Sequence, residues 1–261
     1  MEGFGSTLAQ ETREKLKVFD DPKFIFEPVE HVYTYEGKKI VGATTFLQDF
    51  YEGFDEMFWS EKNAEKEKCT PAELRAKWDA TRDRACFLGS MVHEGIEFYW
   101  GGDEQPAVTD PEAQVRLDAF VEFANHRMNM LEIVAIEQRM FNVEWGIAGT
   151  MDALFMHQGK LMIGDWKTNG KFRTNNDFAF KKMKAPFEHL KENEFNKYSI
   201  QMAIYRLLLE KAGIETTGAF LCHIPKGGEV KLYQTTDLTG IMRNYLNGHR
   251  GCFRDAPTSL F

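Results

Sequence analysis

The chain of 261 residues, 43% hydrophobic and 13% aromatic, can bury a sizeable core in one elaborated α/β or α+β domain, and its lack of any apolar run of about 18 residues excludes a helical membrane span. Its opening, MEGFGSTLAQ, lacks the basic-then-apolar order of a secretory signal, and Cys69, Cys86, Cys222 and Cys252 show no CxxC spacing. A soluble intracellular protein with buried free thiols is therefore expected, without a zinc knuckle or disulfide framework. The formal charge of -8 argues against a nucleic-acid partner, yet from Lys167 to Arg206 nine Lys or Arg stand against four Asp or Glu. A basic segment beside acidic metal ligands and a solvated mixed-charge loop both fit that stretch.

Short strand signals come first, at Lys23 to Phe26, His31 to Tyr35 and Lys39 to Val41, with Glu36-Gly37 as a hairpin turn. Thr44 or Thr45 can cap a short helix, and the charged stretch from Phe54 to Lys68 reads as a second. From Pro71, apolar residues recur at helical spacing to Tyr99, which predicts one long helix or two with a break near Gly89. Asp110-Pro111 starts another helix, to about Met128. Glu132 to Phe141, Ile147 to Phe155 and Lys160 to Thr168 then read as an antiparallel meander. A polar, basic connection leads to a strong helix from Lys197 to Ala212, ended by Gly213, and to an apolar strand from Gly218 to Ile224. Strand, helix and strand in that order make a parallel crossover unit. Glu229 to Gln234 and a last helix from Asp237 to about Asn247 complete the chain.

On the third meander strand, alternation puts Ile163, Asp165 and Lys167 on one face and Met162 and Trp166 on the other. Asp152, thirteen residues before Asp165, comes back beside it through one hairpin. Two carboxylates next to a lysine suit a hard divalent cation and a water, because Mg²⁺ prefers oxygen ligands and is usually held by one or two carboxylates plus a substrate phosphate. Gly149 would allow a close approach of backbone or nucleic acid. A bare DxK is more often an ordinary strand-end ion pair. Three further features favour chemistry: His93 and Glu97 lie four apart on one helix with Gly89 a turn earlier, Gln201 and Tyr205 repeat that spacing on the later helix, and Glu137 stands on the strand before Asp152.

GxxxHxxxE, a strand Glu, GxxD, DWKT and QxxxY, in that order over about Gly89 to Ile224, resemble the PD-(D/E)XK nucleases, specifically the RecB-type branch with its phage recombination exonucleases and mitochondrial genome maintenance exonuclease. The resemblance implies a mixed α/β core, a central sheet flanked by helices, spanning residues 89–250 behind an N-terminal hairpin and helical elaboration at 1–88. It implies a DNA exonuclease dependent on Mg²⁺, with Mn²⁺ substituting, in recombination, repair or phage DNA processing in the cytoplasm, including that of a virus-infected host. His93, Asp152 and Asp165 would be metal ligands, Lys167 the catalytic lysine, Gln201 its support or that of a water, and Tyr205 a buttress or DNA contact.

Glu97 reads either as support for the metal shell or as an exposed helix acid; Glu137 reads as an outer acid of the site or as a partner of Arg139 or Lys160. Lys171, Arg173, Lys181, Lys182 and Lys184, interspersed with Phe172, Phe178, Phe180 and Phe187, read either as a DNA-binding segment or as a hydrophobic lid. The cysteine spacing does not reproduce the iron-sulfur ligation of some relatives, so no cluster is expected. No GxxxxGK[ST] phosphate loop occurs, so any translocation would need a partner or a free-running exonuclease; the resemblance also allows a single-strand-binding or recombination partner. A structure-specific endonuclease and a non-catalytic nucleic-acid-binding module are the competing readings. A carboxylate-pair glycosidase is disfavoured, because Lys167 beside Asp165 suits a phosphate better than an oxocarbenium ion.

Overall fold

A computed structural model describes residues 7–28, 30–101, 106–177, 180–227 and 229–248. Phe178 and Cys252 lie outside the described residues. The expected hairpin forms from β1 (Phe24–Glu27) and β2 (Val32–Tyr35) and continues into β3 (Lys38–Gly42). The meander follows as β4 (Glu132–Asn142), β5 (Ile147–His157) and β6 (Lys160–Lys167), all antiparallel. Next, β7 (Gly218–His223) runs parallel to β6, and β8 (Lys231–Gln234) closes that edge antiparallel to β7. Together they make one mixed eight-stranded sheet in the order β1-β2-β3-β5-β6-β7-β8, with β4 also on β5.

The sheet forks at β5. One edge of β5 is taken by β4; on the other, β3 pairs in parallel with Ile147 and Ala148, while β6 pairs with Ala153 to His157. On that edge, between the two ladders, Gly149, Thr150, Met151 and Asp152 face no neighbouring strand, while β4 still pairs with the first three of them on the other. That opening holds the candidate site. The parallel pairing of β3 was invisible in the sequence, because two residue pairs leave no periodic signature.

Helices cover both faces. Among the described residues they are α1 (Thr7–Leu16), α2 (Ala43–Phe46), α3 (Glu56–Asn63), α4 (Pro71–Tyr99), α5 (Pro111–Arg127), α6 (Glu194–Lys211) and α7 (Thr239–Gly248). On one face α1, α2, α6 and α7 bury Leu16, Phe46, Ile200, Ile204, Leu208 and Met242 against Ile147, Met151, Ile163 and Leu221. On the other, α4 and α5 bury Leu88, Val92, Ile96 and Phe120 against Phe155, Trp166 and Phe220. Trp166 and Ile163 thus fall on opposite faces, as alternation requires. None of these helices is long and apolar enough to cross a membrane.

Of the two alternatives for the stretch through Gly89, the single unbroken helix forms, opened by a Thr70–Glu73 capping box with Pro71 in its first turn; a single glycine weakens a helix by only about 1 kcal/mol. Other expectations are corrected. Thr44 and Thr45 lie inside α2, whose N-cap is Gly42. Helix α1 escaped prediction because its buried stripe, Ala9, Thr12 and Leu16, is mostly small or polar. Of the described cysteines only Cys222 is buried; Cys69 is partly exposed and Cys86 exposed.

Gly164 sits between the rings of two neighbouring strands of the same sheet. A Cβ there would lie 2.7 Å from the Phe155 ring and 2.8 Å from that of Phe220. Gly164→Ala is expected to destabilise the fold by roughly 1–3 kcal/mol, read as a thermal midpoint lower by roughly 2–10 °C. An unchanged midpoint would show that the two rings part freely.

Candidate functional site

The fork places Asp152 opposite the end of β6. Past Gly164, β6 leaves β5, and the backbone amide of Trp166 would lose its ladder partner; the Asp152 carboxylate accepts from it at 2.7 Å. The Trp166 carbonyl accepts in turn from His93 Nε2 on α4, at 3.1 Å. A carbonyl cannot donate, so the imidazole proton sits on Nε2 and the neutral ring presents its Nδ1 lone pair. That nitrogen lies 3.7 Å from Asp152 Oδ2. Two acceptors at this distance with no proton between them leave a slot for a cation.

Glu137 completes the slot. One ligand atom each from His93, Glu137 and Asp152 lies within 4.8 Å of the others. Glu137 has φ 46°, in the left-handed region that side-chain-bearing residues seldom adopt, between the flanking pairs Ile136 with Ala153 and Gln138 with Met151. Such strain concentrates at functional positions, where surrounding structure holds it. The sequence readings for Glu137 are an outer acid or a partner of Arg139 or Lys160; the charge of Arg139 acts on it, and the geometry brings its carboxylate to the cluster.

Asp165 and Lys167 form a second unit. Lys167 Nζ lies 2.6 Å from Asp165 Oδ2 and 4.3 Å from the centre of the Tyr198 ring. Even so, Oδ2 is buried without an aligned hydrogen-bond donor, the condition of an oxygen suited to a further cation. Gln201 donates to the Tyr205 hydroxyl at 3.0 Å rather than to Lys167. The Tyr205 ring presses on β5 so closely that a Cβ at Gly149 would lie 2.6 Å from it. The close approach allowed by Gly149 is therefore made by Tyr205, not by nucleic acid.

A cleft of about 580 Å³ gathers His93, Glu97, Glu137, Asp152, Gln201 and Tyr205, with Gly89 and Gly149 in its walls. Its electrostatics are those of crowded acids. Burial and then the negative charges of Asp152, Glu97 and Asp165 push Glu137 up to about 8. Burial pushes Asp165 up to about 6 against the pull of Lys167, and raises Asp152 as well. Burial opposes the charge on Lys167, but Asp165 and Asp152 outweigh it and hold the ammonium protonated above its ordinary value. His93, its side chain 30% exposed, is drawn down to about 4 by burial and by Lys167, and is neutral at physiological pH. Carboxylates raised in this way bind a divalent ion with release of protons.

The basic segment lies apart from this cleft. Arg173, Lys181 and Lys184 line a second cleft, of about 950 Å³, with Tyr51, Phe54 and Trp59. Arg173 pairs with Glu194 and Lys181 with Glu52, on which Lys184 also acts, whereas Lys171 and Lys182 make no ion pair among the described residues. Its phenylalanines divide: Phe187 is fully buried, Phe172 stacks on His223 and Tyr233, and Phe180 is 90% exposed. The sequence reading missed Tyr198, although it stands one turn before Gln201. It also missed the Trp166 peptide, which no side-chain motif can reveal.

The chain belongs to the PD-(D/E)XK nuclease superfamily, whose family model matches residues 45–247. Membership implies a metal-dependent nuclease with DNA as substrate, consistent with the His/Glu/Asp cluster. None of the curated proteins matches the chain. Among solved structures, one titled "Crystal structure of SSO0001" aligns with 94% of this chain and 86% of its own at 14% identity and a TM-score of 0.35, too loose a likeness to carry an argument.

The raised carboxyl groups make a test. Glu137 adds no penalty below its ordinary value of 4.5, and its charge destabilises the metal-free fold increasingly as pH rises towards about 8. Glu137→Gln should therefore raise the thermal midpoint of metal-free protein at pH 8.5 or so and leave it unchanged near pH 4, while weakening Mn²⁺ binding in calorimetry. Equal midpoints at the higher pH would contradict the crowding.

Proposed function

We propose that the chain is a divalent-metal-dependent DNA exonuclease that hydrolyses phosphodiester bonds at this fork, in recombination, repair or phage DNA processing. The observation that carries the hydrolytic reading is the cation slot: a neutral imidazole nitrogen facing a carboxylate oxygen at 3.7 Å, with Glu137 beside them and Lys167 close by. His93, Asp152 and Glu137 would hold the ion, with the unaligned Oδ2 of Asp165 nearby. Bound there, Mg²⁺ or Mn²⁺ would lower the pKa of a water and neutralise charge on the scissile phosphate. Carboxylate oxygens suit both ions, and the imidazole is a ligand that Mn²⁺ accepts readily.

The side chains have separable tasks. Lys167, kept protonated by Asp165 and lying on the Tyr198 ring, acts by charge on the pentavalent phosphate and not as a base. The Trp166 carbonyl fixes the His93 ring with Nδ1 inward. Gln201 and Tyr205 hold each other against β5 and close the cleft floor. The ordered motif set, with its resemblance to the RecB-type branch, supports an exonuclease over an endonuclease. The cleft lined by Arg173, Lys181, Lys184 and Trp59 supports engagement of a single strand beyond the site by phosphate pairing and base stacking.

Labelled linear DNA incubated with Mg²⁺ or Mn²⁺ should release nucleotides, and covalently closed circular DNA should stay intact. Asp165→Ala and Lys167→Ala should each lower the rate by roughly 10²-fold or more. Cleavage of the circle would make the enzyme an endonuclease; no release from linear DNA, with Asp165→Ala matching wild type, would refute hydrolysis at this site.

A further inference from the structure

Away from the metal cluster, one wall of the cleft is made by Phe26, His31 and Tyr33 of the β1–β2 hairpin and by Arg139 of β4. Their arrangement is built. Tyr33 is buried and its hydroxyl is hydrogen-bonded to that of Thr150 at 3.0 Å, in the fork itself. The Phe26 ring stacks on Tyr33 at 4.7 Å, and His31 meets the edge of Phe26 at 5.1 Å. The Arg139 guanidinium lies 5.1 Å from the centre of the Phe26 ring. Arg139 is exposed, and its charge acts on Glu137 without an ion pair between them.

A guanidinium over an aromatic ring keeps its N–H groups in plane and free, so stacking fixes its orientation without consuming donors. A planar fork of donors suits two oxygens of one phosphate. Arg139 is two residues from Glu137, roughly 7 Å along an extended strand, a spacing comparable with that of successive phosphates in a single strand. The acids of the cluster repel a polyanion; Arg139 is the cation on the same wall that offsets them.

We propose that Arg139 and the Phe26–Tyr33–His31 wall form a nucleotide subsite of the cleft: Arg139, stacked on Phe26, takes the phosphate next to the scissile one, and the exposed His31 ring, held edge-on by Phe26 and Tyr33, takes its base by stacking. The proposal rests on the nuclease reading above and assigns the residues that position the substrate strand. Stacking accepts any base, so the subsite reads strand geometry and not sequence.

Steady-state cleavage of a short single-stranded oligonucleotide with Mn²⁺ tests it, alongside its anisotropy on the Asp165→Ala chain. Arg139→Ala should raise KM about tenfold with kcat within about threefold, reduce the slope of log affinity against log salt by about one, and be partly rescued by Arg139→Lys. His31→Asn, which suits the left-handed backbone at that position but removes the ring, should raise KM for the intact strand; once an abasic nucleotide occupies the subsite, it should act no differently from wild type. An Arg139→Ala chain with unchanged KM and salt slope, or a loss confined to kcat, overturns the proposal while leaving the nuclease reading intact. If wild type binds the strand without cutting it, the nuclease reading fails and the anisotropy still decides on Arg139. A chain that neither cuts nor binds overturns both.

Discussion

The site depends on the backbone of one residue. The Trp166 N–H donates to Asp152 and the Trp166 C=O, one peptide plane further on, accepts from His93, so a single residue spaces two others that come from different elements. Its backbone cannot drift, because the Trp166 ring is buried between the sheet and α5, edge-on to Phe120 and close to Phe155. A core side chain on one face of β6 thus positions a metal slot at the fork, while its neighbours Asp165 and Lys167 point to the α6 face. Shifting β6 by one residue would exchange those faces and empty the site.

Charge explains why the arrangement needs an ion. Asp152, Glu137 and Asp165 crowd a buried space that holds one ammonium, Lys167, and their raised proton affinities express that deficit. The fold tolerates it because hydrogen bonds and packing elsewhere fix the backbone, as with the left-handed φ at Glu137. Stability is given up locally for a place where a divalent cation and a phosphate are both favoured.

Much of this was legible in the residues. The β4–β5–β6 meander, the β6–α6–β7 crossover and the opposed faces of Asp165 and Trp166 follow from alternation and helical spacing, which local side chains encode. The motif order identified the site elements, and Gln201, Tyr205 and His93 all line the cleft with Asp152. What stayed hidden is non-local. Helix α1 has too thin an apolar stripe to announce itself, and the parallel pairing of β3 spans only two residue pairs. The place of Glu137 depends on a backbone twist that its sequence neighbours do not signal. The sequence reads Gly149 as a place where backbone or nucleic acid comes close, whereas its neighbour is the Tyr205 side chain, 56 positions along the chain, which only the fold brings there.

The central claim is that His93, Asp152 and Glu137 hold the catalytic ion. Crystals soaked in Mn²⁺ and measured at a wavelength sensitive to manganese test this most directly. The account predicts an anomalous peak coordinated by Asp152, Glu137 and the Nδ1 atom of His93, absent from Asp152→Ala crystals. A peak bound elsewhere, or a His93 ring turned with Nδ1 towards the Trp166 carbonyl, would contradict it.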